Sequence, residues 1–100
     1  MAWPTDINVK DEGRRLEVIY DDNFTALNSA ESLRVNSPSA EVQGHGPGQR
    51  VEVKGKENVR LVDIEPIGNY AIRIVFDDGH GSGIYTWEYL RELSLRRAPA

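Results

Sequence analysis

The sequence predicts a small α+β domain: an antiparallel sheet with two short helices, built from two similar strand-turn-strand-helix halves. Three observations carry this reading. Apolar and polar residues alternate with a period of two in several short runs, as in half-buried strands. Two later segments open with a residue suited to capping a helix. The chain also repeats itself: Glu17-Val18-Ile19-Tyr20-Asp21-Asp22 matches Arg73-Ile74-Val75-Phe76-Asp77-Asp78, and Ser29-Ala30-Glu31-Ser32-Leu33-Arg34 matches Thr86-Trp87-Glu88-Tyr89-Leu90-Arg91. The offset is 56 residues for the first pair of blocks and 57 for the second, so the second spacer is one residue longer.

Taken in order, Ile7 to Lys10 alternates, and Leu16, Val18 and Tyr20 would share one face of the next strand, with Asp11-Glu12-Gly13 as a hairpin-like turn between them. Asp21-Asp22-Asn23 and Asp77-Asp78-Gly79 are turn formers, because Asp accepts local backbone N–H groups and Asn or Gly tolerates positive φ. Ser29 and Thr86 can accept an N–H of the first helical turn, where Glu31 and Glu88 also meet the positive end of the helix dipole. Trp87, Leu90, Leu93 and Leu95 have the spacing of an amphipathic second helix. Val51 to Lys54 alternates again; Val59 to Ile64 and Tyr70 to Phe76 are the strongest strand candidates, separated by a turn at Pro66-Ile67-Gly68-Asn69. Residues 36–49, with three Gly and two Pro, read as an exposed loop between the halves.

Composition bounds the chemistry. One hundred residues make one domain, here residues 1–100, and a chain of this size buries roughly 60 to 70% of its unfolded surface. With no cysteine, the chain offers no disulfide, no thiolate metal site and no cysteine nucleophile. A net charge of −4 disfavours nucleic acid as a partner. Arg91, Arg96 and Arg97 read as cations complementing a helix C-terminus. No apolar run approaches the ~20 residues a bilayer requires, and no secretion signal is visible, so no membrane association and a cytoplasmic location are expected. No phosphate-cradling loop or Ser-His-Asp order stands out, so no catalytic residues are assigned and an enzyme is not expected.

Several blocks together are specific: Leu33-Arg34-Val35-Asn36-Ser37-Pro38-Ser39-Ala40-Glu41, Ile64-Glu65-Pro66-Ile67-Gly68-Asn69-Tyr70-Ala71, Phe76-Asp77-Asp78-Gly79-His80 and Gly83-Ile84-Tyr85-Thr86-Trp87-Glu88-Tyr89-Leu90. They resemble a bacterial domain family of unknown function that is similar to the N-terminal domain of gamma-butyrobetaine hydroxylase. In the hydroxylases that domain holds zinc through a Cys-x-Cys-x-x-Cys run and a His. The resemblance places the three thiolate positions on Ser37, Ser39 and Val42, and leaves only His80 as a ligand. It therefore implies no structural zinc, since an alcohol does not ionise near neutral pH as a thiol can and valine has no donor. The hydroxylase reaction belongs to a separate iron domain. Related modules appended to iron–sulfur carrier proteins imply a helper role in cofactor or cluster assembly.

Two functional expectations follow. The first is a noncatalytic accessory domain that binds a protein partner and assists an iron, iron–sulfur or molybdenum enzyme, through the 36–49 loop and a surface of Asp78, Gly79, His80, Tyr85, Trp87 and Tyr89. The partner's identity and the oligomeric state stay open. The second is weak binding of iron or another divalent metal by His80 with Asp77, Asp78 or the repeat-related Asp21 and Asp22, oxygen and imidazole donors being suited to such ions. His45 has less around it. Trp87, Tyr89, Tyr85 and Phe76 could line a groove, but aromatics at a strand-to-helix junction more often form core.

Overall fold

A computed structural model describes residues 2–38 and 55–96. The expected strand at Val51 to Lys54, together with Ser39, Val42, His45 and Arg97, lies outside the described residues. The first half runs β1 (Pro4–Lys10), β2 (Arg15–Tyr20), β3 (Thr25–Ser29) and helix α1 (Ala30–Val35). The second runs β4 (Leu61–Ile67), β5 (Ala71–Phe76), β6 (Ile84–Thr86) and helix α2 (Trp87–Leu95). The strands form two three-stranded antiparallel sheets, ordered β1-β2-β3 and β4-β5-β6. The fold is thus the small α+β arrangement of two similar halves that the repeat predicts.

Local chemistry places each element. The Ser29 hydroxyl accepts the Ser32 N–H at 3.0 Å and the Thr86 hydroxyl accepts that of Tyr89 at 3.1 Å, so both helices start by the same side-chain cap. Asn23 (φ 69°) and Gly79 (φ 92°) hold the same left-handed place in the two Asp-Asp turns. One boundary differs from expectation: β4 continues through Pro66 to Ile67, and the turn falls on 68–70 instead of beginning at Pro66. Proline is tolerated there because β4 is an edge strand and need donate hydrogen bonds on one side only.

The first turn also meets the second half. Gly13 has φ 92°, and a Cβ there would stand 2.6 Å from the Leu61 carbonyl oxygen, so both its conformation and the approach of β4 require glycine.

One core joins the halves. Leu16, Val18, Tyr20 and Ala26 from the first sheet meet Ile72, Ile74, Phe76 and Tyr85 from the second, with Leu33, Leu90 and Leu93 from the helices. Leu95 is 65% exposed and does not belong to the helix's buried stripe. The helices are exchanged. The Asn28 side chain in β3 donates to the Leu90 carbonyl of α2 at 3.1 Å, and the Tyr85 hydroxyl in β6 donates to the Leu33 carbonyl of α1 at 2.6 Å. The donor of the second bond lies 57 positions after that of the first and its acceptor 57 positions before, so the two bonds are repeat equivalents with the halves exchanged, and each half satisfies the backbone of the other's helix.

The Tyr20 hydroxyl likewise crosses to the Trp87 carbonyl at 2.5 Å. Burial pushes its pKa up to about 12, against a smaller lowering by the Arg91 charge; burial pushes the Tyr85 phenol up as well. A phenol whose folded pKa is raised stabilises the fold fully below its unfolded value of about 10 and loses that contribution as pH rises toward 12. Stability measured by urea at rising pH should therefore decline across this window. The Tyr20→Phe variant should start less stable and decline less; an unchanged alkaline slope would refute the assignment.

Candidate functional site

The chemically richest place in the chain is the turn after β5, together with the end of α1. Asp77 accepts the Arg60 backbone N–H at 3.1 Å through its side chain. Asp78 Oδ2 is met by Arg34 Nε at 2.8 Å and by Lys56 Nζ at 2.7 Å, while its Oδ1 accepts the His80 N–H at 3.1 Å. Burial pulls the Asp78 pKa upward, but the hydrogen bonds from Lys56, the His80 backbone and Arg34 outweigh it, and the carboxyl ends well below the usual carboxylate range. Among the described residues, the Arg34 Nη1 atom is buried without a hydrogen-bond partner.

Ser37 and His80 stand side by side, Oγ to Nε2 at 2.9 Å, with exposures of 0% and 6%. This corrects the expectation that the whole of 36–49 is exposed loop: Ser37 is drawn inward to pair with the imidazole. Gly83 leaves room for it, since a Cβ there would collide with the Ser37 hydroxyl. A hydroxyl beside an imidazole is the beginning of a nucleophile and its base. Here Ser37 is fully buried and His80 nearly so. As zinc donors the pair is equally unsuited, because a buried alcohol stays protonated where a thiolate would carry charge.

The proposed metal set is not brought together. Among the described residues, no three His, Asp or Glu side chains are grouped so that they could hold a metal ion. Asp77 caps backbone, Asp78 is neutralised by two cations, and the His80 Nε2 faces Ser37. The expected interaction surface also needs correction. Tyr85 is 0% and Trp87 7% exposed, both being core residues, and Tyr89 is half-buried with its hydroxyl on the Asn36 carbonyl at 2.5 Å. Of the stretch from Asp78 to Tyr89, Gly79, Ser82, Ile84 and Glu88 reach solvent most fully, along with the backbone of Asp78.

The repeat places an equivalent site on the first half. Trp3 occupies the position of Arg60: its N–H donates to the Asp21 carboxylate at 3.2 Å and its carbonyl accepts the Asp21 N–H at 2.8 Å. Arg91 from α2 grips Asp22 with both Nη atoms, at 3.1 and 2.8 Å, as Arg34 from α1 grips Asp78. The Arg91 hydrogen bonds are the main reason the Asp22 pKa is lowered. The Arg91 guanidinium also lies 4.1 Å from the Phe24 ring centroid and 5.3 Å from that of Tyr20. Beside it opens a pocket of about 300 Å³ lined by Ala2, Tyr20, Asp22, Trp87, Glu88 and Arg91. Arg91 is thus the partner of a turn in the opposite half, beyond the dipole role expected of it. Lys56 and Trp3 carry no motif that sequence reasoning could have used; the matched Arg34 and Arg91 in the repeat were the available signal.

Comparison with known proteins agrees with this architecture. Residues 7–91 match the family model described as gamma-butyrobetaine hydroxylase-like, N-terminal. The chain is similar to a protein of unknown function of the DUF971 family from Acidithiobacillus ferrooxidans, at 40% identity and a TM-score of 0.76, with 91% of each chain covered. It is also similar to two proteins with NMR solution structures, at 48% and 43% identity and TM-scores of 0.77 and 0.81. These alignments cover 96% and 98% of this chain and 75% and 73% of theirs. No curated protein matches it. The family match extends through both Asp-Asp turns, α1 and the first turn of α2, and on that ground the chain belongs to the gamma-butyrobetaine hydroxylase-like N-terminal domain family, also called DUF971.

Proposed function

We propose that this chain is a noncatalytic accessory domain that acts by binding a protein partner, in the assembly or regulation of an iron, iron–sulfur or molybdenum enzyme. The single observation that carries the noncatalytic part is the commitment of every reactive-looking group at the family's motif turn. Asp77, Asp78, Ser37 and His80 are each spent on holding the fold. A general acid or base has to reach a substrate proton; Ser37 and His80 are buried, and the Asp77 and Asp78 carboxylates are each engaged by protein donors. The enzyme-assembly part is supported by kinship with a domain that accompanies an iron-dependent hydroxylase. What the turn leaves to a partner is its rim, above all Ile84, an apolar side chain 43% exposed at the β6 edge, and Glu88.

Affinity capture with the tagged full chain, expressed in cells that encode it, tests the reading. The expected result is a metal-cofactor enzyme or an assembly factor recovered by the wild type and lost with Ile84→Glu, whose fold is checked by circular dichroism. Recovery of nothing beyond background, with a deletion strain indifferent to metal supply, would overturn it.

A further inference from the structure

The two halves serve as each other's comparison structure, and they differ in one respect. In the second half, Asp78 Oδ2 takes two cations, the Arg34 guanidinium and the Lys56 ammonium, and the carboxylate side chain is only 19% exposed. In the first half, among the described residues, Asp22 Oδ2 accepts from Arg91 alone and the side chain is 45% exposed. No described side chain takes the place of Lys56 there. What lies there is the open pocket of about 300 Å³. Its walls Ala2, Asp22 and Arg91 are the repeat equivalents of Val59, Asp78 and Arg34, the residues gathered around Lys56. Lys56 accepts the Val59 N–H at 3.2 Å through its carbonyl, and its ammonium shares Asp78 with Arg34.

We infer that the pocket is a binding site for a primary ammonium on an alkyl stem, which takes the position against Asp22 that Lys56 takes against Asp78. Three further features fit that ligand class. Glu88 adds a second carboxylate, so Asp22, Glu88 and Arg91 together leave one negative charge for a monocation to neutralise. Tyr20 and Trp87, largely buried, contribute a small apolar part of the lining against which a methylene chain packs. An oxyanion would meet two carboxylates and be repelled. A divalent metal would find too few donors, since Arg91 occupies both oxygens of Asp22. The same ammonium chemistry occurs in a free diamine and in a lysine side chain of a partner protein.

The experiment is an NMR titration of the ¹⁵N-labelled full chain with cadaverine, with Nα-acetyl-lysine methylamide, with the same compound acetylated on Nε, and with inorganic phosphate. Both amines should shift the Asp22, Glu88 and Arg91 amides, and the two controls should not. Tighter binding of the lysine derivative would identify a partner's lysine as the source, and tighter binding of cadaverine a free diamine. Glu88→Gln should weaken binding about fivefold, by the loss of one charge-assisted contact. Glu88→Lys, which delivers an ammonium from the chain itself, should abolish binding with the fold intact, because Glu88 is exposed on α2. Absence of shifts with either amine, or binding indifferent to both Glu88 variants, would overturn the inference.

Discussion

Leu90→Ala is expected to lower the unfolding free energy by about 3 kcal/mol, and Leu33→Ala to do much the same. Both side chains are 0% exposed and belong to the core that joins the halves. The corresponding fall in Tm is roughly 12 to 24 °C for a domain of this size. The informative part is where protection is lost. Because α1 and α2 are each bonded to a strand of the other half, amide exchange should rise in both sheets for either variant. If Leu33→Ala left β4 to β6 protected while β1 to β3 opened, the two halves would be independent units and the single shared core would be wrong.

The second large effect concerns the matched ion pairs, which should not be equal. Asp78→Ala removes the only counter-charge paired with Arg34 among the described residues; the Arg34 side chain is 13% exposed and already has one buried unpartnered nitrogen, and the change strands the Lys56 ammonium as well. Stripping one member from a largely buried pair leaves an uncompensated charge, and a loss of about 2 kcal/mol is expected in urea unfolding. Asp22→Ala should cost less, because Arg91 is 30% exposed and keeps its stacking on Phe24. Equal losses would show that burial does not distinguish the two turns. The sign with pH follows from the depressed Asp78 pKa. A carboxyl lowered on folding contributes stability above its unfolded value of about 3.9, and that contribution is lost as pH falls through this value toward the folded one. The Asp78→Asn variant should accordingly be closest to wild type in strong acid and furthest from it at neutral pH.

Much of the local structure was legible. The caps at Ser29 and Thr86 and the Asp-Asp turns are decided by bonds between residues two or three positions apart, and such bonds are written in residue type and spacing. The alternation that put Leu16, Val18 and Tyr20 on one face was legible for the same reason, since all three are buried. The candidate site was less so. Ser37 sat in a stretch whose glycines and prolines read as exposed loop, and its burial depends on His80, 43 residues away. Tyr85 and Trp87 were placed on a surface because they fell in a distinctive motif, whereas the exchanged helices make them core.

By itself, the sequence determined the class of fold, the existence of two matched halves and the caps and turns that begin and end their elements. The family, too, was readable from the blocks around Leu33-Arg34 and Phe76 to Leu90. Only the tertiary structure decided that each helix serves the opposite half, that Arg34 and Arg91 cross to Asp78 and Asp22, and that one of these carboxylates is covered by a lysine while the other faces an open pocket. Partners that lie 44 and 69 residues apart leave no periodicity along the chain, and only packing two amphipathic halves around one core brings them within hydrogen-bonding reach.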